Sequence, residues 1–259
     1  VPAVILMLVQ IPNIRSRDFS SFHIMAYGAS PIAESLLLEA VEIFGCKFTQ
    51  VYGLTETTGA ATYMLPEAHD PKKGKLRSCG IPYPDAKIKC IDDKGDEVPQ
   101  GEVGEIIIKS KFVMKGYWKR PEATENAIRD GWFHSGDVGY FDSDGYLYIH
   151  DRLKDMIVSG GENVYPAEVE NALFDYLDII DLAVIGVPSK KWGEAVKAII
   201  VLRPGADFNE KDFIAYAKTK IAGYKCPKSV DIVNALPRNA SGKVLRRQLR
   251  EPYWRDSER

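Results

Sequence analysis

The sequence predicts an α/β section, a β-rich section and then a small α+β unit, on three observations. Two early strand-like runs each end in a polar, glycine-containing loop, with a helical stretch between them. The middle of the chain breaks into short runs divided by Gly, Pro and Asp turns. Beyond Lys154, apolar runs and helical faces alternate again. At 259 residues and 45% hydrophobic content, the chain exceeds one average domain, so two are expected. The expected boundaries are 1–153, divided into α/β (1–73) and β-rich (74–153) parts, and 154–259.

Val1 to Val9 is apolar, yet far shorter than the roughly 20 residues a membrane helix needs, and it lacks a basic leader. No transmembrane segment is expected. The chain opens without Met, as if already inside a fold, which reads as a fragment. Phe22 to Tyr27 reads as a strand ending at Gly28-Ala29-Ser30-Pro31, where Ser30 is expected to cap a helix and Pro31 to open it. Leu37, Ala40, Val41 and Phe44 then recur at helical spacing until Gly45. Lys47 to Tyr52 is a second strand, running into Gly53-Leu54-Thr55-Glu56-Thr57-Thr58-Gly59. Open α/β sheets hold ligands at such strand ends.

From Gly74 to Ile149 short strands are expected at Ile88–Ile91 and Gly104–Lys109. A hairpin follows, with Val138 and Tyr140 facing Tyr146 and Tyr148 around Asp142-Ser143-Asp144-Gly145. This part is expected to be a small barrel or a distorted sheet. Asp151, Arg152, Lys154 and Asp155 crowd charge into a pivot, followed by Met156-Ile157-Val158 and a Ser159-Gly160-Gly161 loop. Pro166 and the acidic Glu168 and Glu170 announce a helix, with Val169, Leu173, Tyr176 and Leu177 on one face. Strands are expected at Leu182–Val187, Val196–Leu202 and Ser229–Val233, and a helix capped by Asn209 with Phe213, Ala217 and Ile221 inside. No internal repeat is present.

A net charge of −2, from 34 basic and 36 acidic residues, gives no field toward nucleic acid or an anionic membrane. The expected partner is a small molecule, and nothing in the sequence indicates an oligomeric state. Cys46, Cys79, Cys90 and Cys226 have no CxxC spacing and read as free thiols of a cytoplasmic protein. His23, His69, His134 and His150 are too scattered for a metal site. Asp142 to Gly145 is not a calcium loop, since its Gly stands at the fourth position rather than the sixth. Gly242-Lys243 is not a phosphate loop either, because Pro237 and Val244 occupy positions that require Gly and Ser or Thr.

Four constellations can carry chemistry. In Tyr52-Gly53-Leu54-Thr55-Glu56, a hydroxyl could donate to a phosphate and a carboxylate could hold Mg²⁺; the same residues suit a capped helix start. Asp137 could accept both ribose hydroxyls while Arg152 adds a donor, or the two could form a surface ion pair. Gly160-Gly161 permits close approach to a ligand, or a tight turn. Lys243, behind Ser241-Gly242, is presented on a short, flexible lever, or belongs to a solvated basic face with Arg246 and Arg247.

In order along the chain, these pieces resemble the adenylate-forming enzymes, which include acyl-CoA synthetases, aryl-CoA ligases, firefly luciferase and the adenylation domains of peptide synthetases. The resemblance is carried by Tyr52 to Glu56 (YGxTE), by Gly131 to Asp137 (GWFxTGD-like, with Ser135 in place of Thr), by Asp151 to Ile157 (DRxKDxI) and by Pro237 to Lys243 (PxxxxGK). Ser159 to Glu170 looks like the CoA ligases in particular. The fold it implies is the remnant of a large α/β adenylation domain followed by a small mobile domain.

The resemblance implies an acyl-CoA synthetase that uses ATP, Mg²⁺ and CoA to activate a carboxylic acid, with a fatty acid preferred. It implies that Gly28, Ala29, Ser30, Tyr52 and Gly53 form an adenine pocket with Ile149 near the base. Thr55 would contact the α-phosphate, Glu56 would bind Mg²⁺, and Asp137 with Arg152 would hold the ribose. Lys243 would bridge the acyl carboxylate and the α-phosphate, and Lys154 would be the hinge. Gly160 and Gly161 would meet the pantetheine arm, and Trp192 would sit near CoA. The family's Ser/Thr/Gly-rich phosphate loop ending in Lys has no match here, so the 259-residue chain alone is expected not to form acyl-adenylate at a normal rate. The reading from another class is a non-catalytic nucleotide-binding module; aryl-CoA and carrier-protein-loading ligases stand as alternatives within the family.

Overall fold

The computed structural model describes residues 1–30, 32–240 and 242–255. The chain divides into two compact units, Val1–Leu153 and a second beginning at Lys154. Among the described residues no helix is long and apolar enough to cross a membrane.

The first unit opens with α1 (Pro2–Val9), a short apolar helix that packs Ile5 into the same cluster as the βαβ segment behind it. That segment is β1 (Ile24–Gly28), α2 (Glu34–Phe44) and β2 (Lys47–Tyr52), with β1 and β2 parallel and Gly28 level with Val51. Leu37, Ala40 and Phe44 are buried, as their spacing requires, and Gly45 ends α2 at φ 57°. The start of α2 differs from expectation. Ala33 precedes its first turn, no side chain caps it, and Ser30 lies outside the helix; Pro31 falls outside the described residues. Short β3 (Thr62–Met64) and β4 (Ile81–Pro82) extend this sheet antiparallel, in the order β1-β2-β3-β4.

The β-rich part is a second, five-stranded sheet. Its members are β5 (Ala86–Ile91), β6 (Gly104–Ser110), β7 (Ile128–Arg129), β8 (Trp132–Phe141) and β9 (Leu147–Arg152), with α3 (Pro121–Ala127) leading into β7. Strands β5, β6, β8 and β7 lie in that order and β9 pairs with β8. Ile106, Ile108, Phe133 and Leu147 form its core. The Asp142–Gly145 turn closes the β8–β9 hairpin, its Asp142 carboxylate accepting from the backbone N–H groups of Asp144 and Tyr146 at 3.0 and 2.9 Å.

In the second unit the expected loop after the pivot is a hairpin. β10 (Ile157–Ser159) and β11 (Glu162–Val164) pair antiparallel, and Gly160-Gly161 is the turn between them. The apolar run is too short to read as a strand beside so charged a neighbour, but Ile157 and Val164 are wholly buried and fix the register. Helix α4 (Pro166–Leu173) follows, ending earlier than its spacing suggests. Leu177, placed on the inner face by periodicity, is 79% exposed, whereas Tyr176 packs on the core against Phe213. The long antiparallel pair β12 (Ile179–Ser189) and β13 (Gly193–Leu202) is the spine of the unit, joined by β14 (Ser229–Ile232) parallel to β13. Asn209 caps α5 (Glu210–Lys220), accepting from Lys211 N at 2.9 Å and Asp212 N at 3.4 Å. Helices α4 and α5 cover one face of this sheet, and the other carries Leu236, Val244, Leu249 and Tyr253 near α6 (Arg246–Arg250).

Candidate functional site

Local packing dictates the loop that follows β2. A Cβ on Gly53 would collide with the Gly59 backbone, so the chain after Tyr52 can double back only through glycine. Thr55–Thr57 form a 3-10 turn closed by Thr57, whose hydroxyl accepts from Leu54 N at 3.0 Å and donates to Leu54 O at 3.1 Å. Thr57 is the buried anchor, while Thr55 stands exposed at the start of the turn. The turn is therefore closed without the side chains of Thr55 and Glu56.

Glu56 is tied to residues that the sequence reading passed over. Its carbonyl accepts from Met114 N at 2.7 Å, and its carboxylate Oε1 accepts from the Tyr117 hydroxyl at 2.7 Å. Burial, followed by the neighbouring Glu56, pushes the Tyr117 hydroxyl up to about 12, so it stays protonated and donates. No short-range signal links the two residues, which are 61 positions apart. Among the described residues no group of three His, Cys, Asp or Glu side chains could hold a metal ion. A lone carboxylate suits Mg²⁺ shared with substrate phosphates, since that ion keeps much of its water shell and rarely needs an all-protein cage.

The second cluster is built across the β8–β9 ladder, where Asp137 stands opposite Arg152. Asp137 is 5% exposed. Its Oδ2 accepts from the Tyr52 hydroxyl at 2.9 Å, and its Oδ1 lies 3.2 Å from Arg152 Nε. Burial and then the Asp137 charge hold the Tyr52 hydroxyl well above its ordinary range. Ser135 aims the carboxylate indirectly, its hydroxyl accepting from Asp137 N at 3.1 Å and donating to Ile106 O at 2.5 Å. Despite its proximity to the carboxylate, Arg152 Nε is buried and makes no hydrogen bond. A buried carboxylate beside a guanidinium nitrogen that is ion-paired to it but makes no hydrogen bond fits a ligand carrying neighbouring hydroxyls. Ile149, on β9, packs partly buried against the sheet core. Gly28 and Ser30 are half-buried beside the end of β1, and Ala29 between them is exposed and sits at φ 70°.

The remaining expected residues belong to the second unit. Gly160 lies under Trp192: a Cβ there would come 2.9 Å from Trp192 Cε3, and Gly160 N donates to Trp192 O at 2.8 Å. Gly161 has open space around it. Lys191 lies over the Trp192 ring at 4.6 Å, which leaves an electron-rich, partly exposed indole beside the glycine turn. Gly160→Ala is expected to destabilise by more than about 1–2 kcal/mol, the penalty of left-handed backbone at φ 64° plus the displaced indole. Urea unfolding monitored by tryptophan emission measures both effects.

Lys154 begins this unit, and its carbonyl accepts from Arg250 at 3.4 Å. The next residue, buried Asp155, pairs with Arg250 at 3.1 Å, and Arg246 binds Glu170 at 2.7 Å. The basic run that follows Lys243 is thus partly internal: Arg246 and Arg250 face carboxylates rather than forming a solvated face. Lys243 itself is half-buried in a closed hairpin. The lever is therefore less flexible than the sequence suggests, because Leu245 N donates to Pro237 O at 2.8 Å and Asn239 N to Lys243 O at 3.0 Å. Ser241 falls outside the described residues. Cys46, Cys79, Cys90 and Cys226 are free thiols. His69 and His134 serve packing, bonded to Tyr27 and Glu105 respectively.

A parallel βαβ unit with a polar loop at its strand end, beside a buried carboxylate paired with a partly exposed guanidinium, is an arrangement suited to nucleotide-binding α/β folds. The chain matches the AMP-binding enzyme model over residues 1–118 and the AMP-binding enzyme C-terminal domain model over residues 168–243. It belongs to the adenylate-forming, AMP-binding enzyme family. It is 42% identical over 259 residues to a fatty acid–[acyl-carrier-protein] ligase of Streptomyces coeruleorubidus, covering 100% of this chain and 50% of the relative. It is 43% identical over 253 residues to a feruloyl-CoA synthase of an Amycolatopsis species, covering 98% and 51%. The structure of ATP-bound MatB from Rhodopseudomonas palustris superposes with a TM-score of 0.89 at 34% identity, covering 97% of this chain and 50% of that one. The chain spans about half the length of the curated relatives it matches.

Proposed function

We propose that the protein carrying this sequence is an AMP-forming acid–thiol ligase, which joins a carboxylic acid to the α-phosphate of ATP and passes the acyl group from AMP to the thiol of CoA. The observation that carries this reading is the Tyr52–Asp137–Arg152 cluster, in which a buried carboxylate accepts from the Tyr52 hydroxyl and ion-pairs with Arg152 Nε, in the same unit as the Glu56 turn. The relatives' names support the two partners: a fatty-acid ligase and a feruloyl-CoA synthase both activate a carboxyl group for a thiol. ATP bound to a structure of the same fold supports the nucleotide.

In this reading Asp137 accepts from the ribose hydroxyls, Arg152 donates to them, and Gly28, Ala29, Ser30, Tyr52, Gly53 and Ile149 surround the base. Thr55 donates to the α-phosphate. Glu56 would hold Mg²⁺, which would supply positive charge where the carboxylate meets the triphosphate. Lys243 supplies the second positive charge there, which counters anion–anion repulsion in the transition state. Pyrophosphate leaves as the acyl–phosphate bond forms. The thiol then displaces AMP from the acyl carbon, with Gly160, Gly161 and Trp192 serving the CoA side. The two steps need different groups at one carbon, and a turn of the second unit about Lys154 exchanges them. The division of the chain at Leu153–Lys154 supports that hinge.

Fatty acid is the preferred acid, on the fatty-acid relative; an aryl acid is the second reading, on the feruloyl relative of equal similarity. Pyrophosphate release from Mg-ATP by the native protein, over a panel of fatty and aryl acids with CoA or a carrier-protein thiol, decides between them. Release with fatty acids and CoA is the expected result. Release confined to aryl acids, or only with the carrier protein, replaces that substrate; AMP binding with no release at all replaces the enzyme by a nucleotide-binding module. The 259-residue chain assayed alone is expected to give no normal rate, since no segment in it matches the family's phosphate loop.

A further inference from the structure

The hairpin bearing Lys243 is held to the sheet by a side chain that the motif does not explain. Arg238 and Val244 pair across it. The Arg238 guanidinium reaches in two directions. One nitrogen donates to Gly242 O, the carbonyl just before Lys243, at 2.7 Å; the other donates to both Asp181 oxygens at 2.9 and 2.7 Å. Asp181 sits on β12 immediately after a register irregularity in the β12–β13 ladder, and its Oδ1 also accepts from Leu182 N at 3.0 Å. A local irregularity of this kind re-aims a side chain relative to a regular strand. The carboxylate is thus anchored to the backbone on one side and to the guanidinium on the other.

Lys243 is fixed at its backbone from three directions. Its N–H donates to Asn239 Oδ1 at 2.9 Å, its carbonyl accepts from Asn239 N at 3.0 Å, and the preceding carbonyl is gripped by Arg238. Leu236 and Val244, on either side, pack on the apolar face of the sheet with Ile185 and Ile199. A lysine has a long, rotatable stem, so the position of its ammonium depends on how firmly its Cα is held.

We propose that Arg238 and Asp181 are positioning residues for Lys243, and that their ion pair sets the placement of the Lys243 ammonium in the acid-activating step. This rests on the role of Lys243 given above. The pair's side chains are 28% and 20% exposed, so water screens it and it contributes little to overall stability. What it adds is direction: a planar guanidinium that holds a carboxylate and a carbonyl at once defines an orientation that a single point charge does not. Misplacement of a reacting group by about 1 Å can lower a rate on the order of 100-fold.

The test uses the native protein with Arg238→Lys, Asp181→Asn and Lys243→Ala. Two rates are measured separately: acid-dependent exchange of pyrophosphate into ATP, and thioester formation from chemically supplied acyl-adenylate and CoA. Arg238→Lys keeps the charge and loses the planar fork, so it isolates geometry. The expected result for Arg238→Lys and Asp181→Asn is a fall in exchange on the order of 10- to 100-fold, carried by kcat with KM for ATP unchanged, while the thioester rate from supplied adenylate holds. Equal losses in both steps mark a merely structural pair and overturn the proposal. So does unchanged exchange in the Arg238 and Asp181 variants while Lys243→Ala abolishes it; that outcome leaves the function of Lys243 standing. Unchanged exchange in Lys243→Ala overturns the role of Lys243 and the proposal together.

Discussion

Lys243→Ala is expected to lower acid-dependent pyrophosphate release by about 10²- to 10³-fold, the usual consequence of removing one preorganised donor from a site of developing charge. The fold around the residue makes this a local experiment. The hairpin is closed by backbone bonds at Pro237, Asn239 and Leu245 and seated by Leu236 and Val244, none of which uses the lysine side chain. Truncation removes the ammonium while these backbone bonds and this packing remain available to hold the loop. A release rate within a few-fold of wild type would assign the charge compensation elsewhere. The accompanying readout is thioester formation from supplied acyl-adenylate, which is expected to survive because the thiol attacks after the phosphate chemistry is over.

Asp137→Asn is expected to weaken AMP and ATP binding by about 10- to 100-fold, measured by titration calorimetry. A hydrogen bond to a charged group is worth about 1.5–3 kcal/mol, one between neutral groups about 1 kcal/mol, and about 1.4 kcal/mol corresponds to a factor of ten. The substitution is close to isosteric, so Tyr52 keeps an oxygen acceptor at the 2.9 Å position. What is lost is the charge that faces Arg152 at 3.2 Å. Stability falls as well, because a guanidinium is left without its opposite charge. The loss is less than the roughly 3–5 kcal/mol of a fully buried pair, since the Arg152 side chain is 34% exposed. Nucleotide affinity that is unchanged while stability drops would make the pair a structural clasp for the β8–β9 hairpin and would remove it from the ribose site.

The elements that could be read along the chain are those whose signal is local. Gly45 as a left-handed stop, Asn209 as a cap, the Asp142–Gly145 turn and the buried spacing of Leu37, Ala40 and Phe44 each depend on residues within a turn or two of one another. The order of four motifs likewise identified the adenylate-forming family, since motif order is a property of the chain alone. The errors arise where local signals compete with packing. Helix α2 begins after Ser30 without a side-chain cap, and Leu177 is turned outward although its spacing is helical, because packing of Tyr176 on Phe213 decided where α4 gives way. The strands flanking Gly160-Gly161 went unread because their burial comes from partners far along the chain.

Pairings between distant residues were decided by the tertiary structure. Tyr117 meets Glu56 across 61 positions, Tyr52 meets Asp137 across 85, and Arg238 meets Asp181 across 57. No periodicity or motif encodes such a meeting. It follows from which strands share a ladder and where a strand departs from regular register, and these depend on the packing of whole sheets. Residue type and local order were legible from the amino acids, while the partner that gives each functional side chain its direction emerged only when the sheets were assembled.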